Sequence, residues 1–315
     1  MAKTGSRMRA SIIAALLALC AATAQAQLAR TFVSANGSDT ANCGRATPCR
    51  SLQVAHDNTI AGGEINMLDP AGYGTVTITK AISILNDGVG SAGVLVPAGA
   101  IGITINAAAG DRINLRGLII EGSGVGVHGI QFHSGKSLVV TNCVIRHLAQ
   151  NGIDFVPNGT SSLAVSSTLI GDNGNIGVIL YPSGAGAVNA DFDRLEVYNN
   201  GNHGVFVSGG TSTGTVAATA IDSTVARNVN GGFIVSLPGT AATSLQVVRS
   251  VSANNGVGLY ATGGANSLLR VGQSAVSGNG FGWLATTGGI LLSYGDNNIE
   301  GNGNGESPPP VIARK

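Results

Sequence analysis

Three polar side chains have types and spacings that could do chemistry: Gln131 and His133 in GIQFH, and Asp154 in GIDFV. If both pentapeptides are strands, alternation puts all three residues on one face. With a rise of about 3.3 Å per residue and about 4.8 Å between strands, the His133 and Asp154 backbones lie about 8 Å apart. A histidine and a carboxylate at that range can form a general base; the competing reading is a solvated surface pair. Asp191, Asp193 and Glu196 make a second cluster. Asp191 and Asp193 share a face and would admit Ca²⁺, but a firm calcium site needs six or more oxygens, so a solvated acidic face is expected. His128 and His203 each precede a glycine but stand three repeats apart, about 14 Å, too far to work on one bond. Cys143, within LVVTNCVI, reads as a small buried hydrophobe, because no basic neighbour would favour its thiolate.

The elements that must position these residues form a repeat. A glycine followed by an alternating strand recurs at Gly102, Gly129, Gly152, Gly177, Gly204, Gly232, Gly258 and Gly282, in steps of 23 to 28 residues. A period in that range, filled with strand signals, predicts a stacked solenoid. Ile130/Phe132, Ile153/Phe155, Val178/Leu180, Val205/Val207, Phe233/Val235 and Leu259/Ala261 should point inward. The outward column is then Thr104, Gln131, Asp154, Ile179, Phe206, Ile234, Tyr260 and Leu284. Its apolar part, Ile179, Phe206, Ile234, Tyr260 and Leu284, could be covered by the chain's own loops or tail. It could also meet a protein partner or a second copy, or offer Phe206 and Tyr260 to sugar rings. Two corner columns are expected to be structural, since these short polar residues tolerate turn geometry. One holds Asn142, Ser167, Arg194, Ser223 and Ser250; the other holds Asn151, Asn173, Asn199, Asn228, Asn254 and Asn279.

The ends differ from the repeats. Residues 1–26 combine Lys3, Arg7 and Arg9, an apolar run over 10–22 and Ala24-Gln25-Ala26, the pattern of a secretory signal cut before Gln27. Its removal takes three of the 17 basic residues and leaves them two short of the 16 acidic ones. With no basic run either, a nucleic-acid partner is not expected, and no apolar stretch long enough to span a membrane remains. Secretion into an oxidising compartment would pair Cys43 with Cys49 across CGRATPC. Residues 27–63 read as an N-terminal cap: a strand over 30–34, a turn-rich stretch, then a helix over 51–60. Ser51 would cap that helix, Leu52, Ala55 and Ile60 would form its inner face, and Gly62-Gly63 would end it. Residues 64–303 form the solenoid, and 304–315 a Pro-rich extended tail.

The repeats, together with the opening FVSANGSDTANCGRATPCRSLQVA and GGEINMLDPAGYGTVTITKAISIL, resemble the right-handed parallel β-helix, or pectin-lyase-like, superfamily over about residues 30–303. The resemblance implies an all-β fold with three parallel sheets and a role with acidic polysaccharide. It also implies an active site on the outside of the glycine-initiated sheet. The residues depart from the family's catalytic patterns. Pectate-type lyases need several carboxylates for Ca²⁺ and a basic residue, and this face offers Asp154 alone. Galacturonase-like hydrolysis needs a carboxylate pair; Asn202-His203-Gly204 echoes one motif of such hydrolases without their aspartates. AGYGTV resembles the opening of pectin methylesterases without their later pieces. The expectation is a secreted, periplasmic or surface-bound protein that binds or processes polysaccharide. His133 and Asp154 are its candidate catalytic residues, and Gln131, Phe206 and Tyr260 its substrate contacts. The alternative is a non-enzymatic β-helix that engages a protein through the apolar stripe.

Overall fold

The computed structural model describes residues 27–236 and 239–313; the segment 1–26, expected to be a secretory signal, lies outside the described residues. Three parallel sheets run the length of the molecule, and each full coil gives one strand to each. The first sheet has eleven strands, from Leu28–Val33 to Ile290–Ser293. The second has nine, from Gly93–Leu95 to Asn298–Ile299, and the third has nine, from Val76–Ile78 to Phe281–Ala285. The core is the lumen, filled by the inward alternate positions. All twelve residues expected to point inward on the third sheet are fully buried, and Phe132 stacks on Phe155 at 4.5 Å between ring centroids.

The register glycines are required by close approach. Each keeps a negative φ, yet a Cβ on Gly152 would stand 2.7 Å from the Gly177 carbonyl oxygen of the next coil. On Gly177 it would stand 2.7 Å from the Gly204 oxygen, and on Gly258 2.5 Å from the Gly282 oxygen. A column of missing side chains lets successive coils stack at this corner.

The polar corners correct the expected columns. Between the first and second sheets the left-handed residues are Asn142, Ser167, Arg194, Asp222, Arg249 and Gln273. Ser223 and Ser250 come one position later and are buried. Their hydroxyls accept the backbone N–H groups of Leu195 at 3.1 Å and Ser223 at 3.1 Å from the preceding coils. The second corner holds a buried asparagine ladder: Asn173, Asn200, Asn228, Asn255 and Asn279, closed by the half-buried Asn302. Asn199 and Asn254 are instead the left-handed turn residues beside it. Asn151 begins a separate outer ladder through Asn175, Asn202 and Asn230. A residue with positive φ turns its own side chain outward, so the inward ladder starts one residue later.

Helix α1, Leu52–Asn58, covers the open end of the first coil with Leu52, Ala55 and His56, and Ser51 Oγ accepts from the Val54 N–H. It is shorter than expected. Ile60 is not on its inner face but is exposed in a strand, Thr59–Met67, which runs straight through Gly62-Gly63. Thr59 favours the change, because its hydroxyl caps the Ala55 carbonyl and bonds Thr31 Oγ1 at 2.7 Å in the neighbouring strand. That neighbour begins at Leu28. Cys43 and Cys49 form the disulfide. At the other end the tail lies along the last coil. Val311 bridges Ser293, Asn304 bridges Phe281, and Trp283 Nε1 donates to the Ser307 carbonyl at 2.6 Å.

Candidate functional site

Strand register places Thr104, Gln131, Asp154, Ile179, Phe206, Ile234, Tyr260 and Leu284 in one column on the outside of the third sheet. Gln131 and His133 come from the strand His128–Ser134, and Asp154 from Ile153–Phe155 in the next coil.

His133 and Asp154 do not touch; Gln131 stands between them. Its Nε2 donates to Asp154 Oδ2 at 2.7 Å, and its Oε1 lies 3.0 Å from His133 Nε2. The protonation pattern follows from this. A carboxylate only accepts, so the amide nitrogen must face Asp154 and the amide oxygen must face His133. His133 Nε2 therefore carries the proton, and Nδ1 is left as the acceptor, without a partner among the described residues. Asp154 is 7% exposed, and its other oxygen accepts Asn151 Nδ2 at 3.1 Å. With an amide N–H aimed at each oxygen, this carboxylate does not fit Ca²⁺, which wants oxygen ligands on all sides.

Two further residues complete the cluster. His128 Nδ1 accepts the Asn151 backbone N–H at 3.3 Å, which puts the neutral ring's proton on Nε2, 3.9 Å from Asp154 Oδ2. Burial lowers the His128 pKa, Asp154 works against that, and His133 adds to it. Strict alternation from Gln131 would have turned His128 inward. The strand's burial breaks that alternation, with Gly129 and Ile130 both buried and His128 half-buried, so neither His128 nor the membership of Asn151 could be read from parity. His203 lies three coils from His128 in the same register and stacks on Phe206 at 5.3 Å. Burial drives its pKa down to about 4, and its Nδ1 is buried with no hydrogen-bond partner.

The apolar stripe is only partly exposed. Ile234 is 1% exposed, and Ile179, Phe206, Tyr260 and Leu284 are half-buried. Tyr260 keeps its hydroxyl on Thr286 Oγ1 at 2.8 Å. Asp191 and Asp193 lie on the outer face of the first sheet, away from this cluster, and Asp193 pairs with Arg194 at 2.6 Å. Among the described residues no group of three or more His, Cys, Asp or Glu could hold a metal ion. Cys143 is buried, and desolvation pushes its thiol up to about 11, far from a thiolate nucleophile.

No protein-family model matches the chain, and comparison with curated proteins finds no match. Among solved structures, "Crystal structure of pectate lyase Pel9A" superposes with a TM-score of 0.69 at 16% identity, over 90% of this chain and 78% of that one. The fold is the right-handed parallel β-helix. The A-module of the Azotobacter vinelandii mannuronan C-5 epimerase AlgE4 aligns with a TM-score of 0.46 at 15% identity, over 81% of this chain and 91% of that one. A rhamnogalacturonan lyase aligns at 0.38 and 10% identity, over 90% of this chain and 89% of that one. At these identities the likeness concerns architecture, which one fold lends to many chemistries. No helix among the described residues is long and apolar enough to cross a membrane.

Proposed function

We propose that this β-helix binds polysaccharide outside the cytoplasm along the outer face of its third sheet, with His133 as the group that accepts a proton if the bound sugar is processed. The observation that carries the reading is the free His133 Nδ1, in a ring whose other nitrogen is held through Gln131 by the buried Asp154. That arrangement is what a neutral general base requires: one tautomer, an unblocked lone pair and a fixed orientation. Asp154 acts as a positioning residue, since both of its oxygens are engaged by amides. Phe206 and Tyr260 supply ring faces further along the column; Gln131 to Tyr260 spans five strand spacings, about 24 Å, room for several sugar units. A solved structure of like fold is that of a pectate lyase, and the segment over 1–26 has the pattern of an export signal.

The test is to incubate the mature protein with a panel of acidic and neutral polysaccharides, with and without Ca²⁺. Retention, ultraviolet-absorbing unsaturated products and new reducing ends are then followed. Retention on acidic polysaccharide that falls in Phe206→Ala and Tyr260→Ala is expected. Any turnover should disappear in His133→Ala while retention persists. No retention on any polysaccharide would overturn the binding reading, and turnover that survives His133→Ala would overturn the role of His133.

A further inference from the structure

A groove of about 780 Å³ lies on the opposite side of the C-terminal end, on the outer face of the first sheet. Its floor is one outward column, Gln246, Arg270 and Leu292, held in register by adjacent strands. The side wall is made by the tail. Ser293 N–H donates to the Pro310 carbonyl at 2.9 Å, and Ile312 N–H donates to the Ser293 carbonyl at 2.9 Å. The tail thus continues the sheet and brings Ile312 to the groove. Tyr294 forms the remaining side. Its ring lies so close to Gly272 that a Cβ there would stand 2.9 Å from the ring's Cδ2, so the missing side chain leaves the ring its place against the strand.

Arg270 makes this more than a crevice. Its neighbours in register are an amide and an aliphatic side chain, and it forms no ion pair with any described carboxylate. Asp296 also borders the groove, but its Oδ1 accepts the Gln273 N–H at 3.1 Å, which holds that carboxylate at the corner. The groove therefore offers a guanidinium with no ion-pair partner among the described residues, an amide beside it, and a tyrosine ring among aliphatic walls. Its volume lies in the range of small-ligand sites.

We infer that this groove binds a small organic carboxylate that carries a ring, with the carboxylate on Arg270, its polar substituents on Gln246 and its ring against Tyr294. A uronic acid and an aromatic acid share that chemistry. The site is separate from the His133 cluster and does not depend on how that cluster is read.

Titration calorimetry on the mature chain with digalacturonate, its neutral dimethyl ester and benzoate tests the inference. Digalacturonate should bind with unit stoichiometry and the ester at least about tenfold more weakly, since a charged hydrogen-bonded pair is lost. Arg270→Gln should weaken the acid by a similar factor, Arg270→Lys by less, and Tyr294→Ala several-fold. Tyr260→Ala, which should weaken retention on the third sheet, should leave the binding in this groove unchanged. Benzoate that competes with digalacturonate assigns the site to ring carboxylates in general, and benzoate that does not compete assigns it to uronic acids. The inference is overturned if neither acid binds at millimolar concentration, or if Arg270→Gln, with an unchanged melting curve, binds as the wild type does. It is also overturned if Tyr260→Ala abolishes the binding, which would place it on the third sheet.

Discussion

Gln131 joins His133 to Asp154 across two coils, so the state of the imidazole is set by a carboxylate it never contacts. Removing that carboxylate should release the tautomer. In Asp154→Asn the new amide must serve both Gln131 and the Asn151 Nδ2 donor, and Gln131 loses the reason to keep its oxygen toward His133. Nitrogen NMR of the His133 ring should show the Nε2–H form dominant in the wild type at neutral pH and a mixture in Asp154→Asn. An unchanged ring spectrum would mean that Gln131 is oriented by something else.

Asn228 is the middle of the buried ladder. Its Oδ1 accepts Asn200 Nδ2 at 2.9 Å and Asn200 N at 3.1 Å, and its Nδ2 donates to Asn255 Oδ1 at 2.9 Å. Asn228→Ala leaves the Asn200 N–H and Nδ2 donors buried without partners, while Asn255 Oδ1 keeps the backbone N–H of residue 228, and should cost on the order of 3 kcal/mol. Denaturant titration measures this. Asn230→Ala, in the outer and exposed ladder, should cost well under half as much.

A register glycine should tolerate no side chain. A Cβ at Gly204 would lie 2.2 Å from Val225 Cγ1 and 2.8 Å from Asn228 Nδ2. Gly204→Ala should therefore lower stability by about 2 kcal/mol or more through overpacking. Gly110→Ala meets no atom within 4 Å at a φ open to alanine, and should be neutral or slightly stabilising. Equal melting temperatures for the two variants would remove close approach as the reason for the glycine column.

His203 should make the fold sensitive to acid. Burial holds its pKa near 4, below the ordinary 6.5, so the folded state keeps the ring neutral while the unfolded chain takes up a proton. The corresponding stability is fully present above pH 6.5 and is lost as the pH falls toward 4. The loss is on the order of 3 kcal/mol at its limit. His203→Phe keeps the stack on Phe206 and removes the unpartnered Nδ1, so it should flatten the pH profile of stability between 6.5 and 4 without a loss at pH 7. A profile unchanged by the substitution would assign the acid sensitivity to other groups.

The sequence by itself determined the solenoid, its inward core and the order of its outward column. Strand alternation has a period of two, and the glycine spacing marks where each coil restarts, so Phe132 and Phe155 could be turned inward and Gln131 and Asp154 outward from the letters alone. The disulfide of Cys43 with Cys49 and the burial of Cys143 were equally open to local argument. Only the tertiary structure decided the rest. One left-handed residue at each corner shifts the inward position by one, which is why Asn200 and not Asn199, and Asn255 and not Asn254, form the buried ladder. The strand start at His128 departs from the alternation and sets that ring near Asp154, and the tail folds back to wall the groove beside Arg270. A period gives the face on which a side chain stands; which neighbour it meets depends on the path of the backbone between the strands.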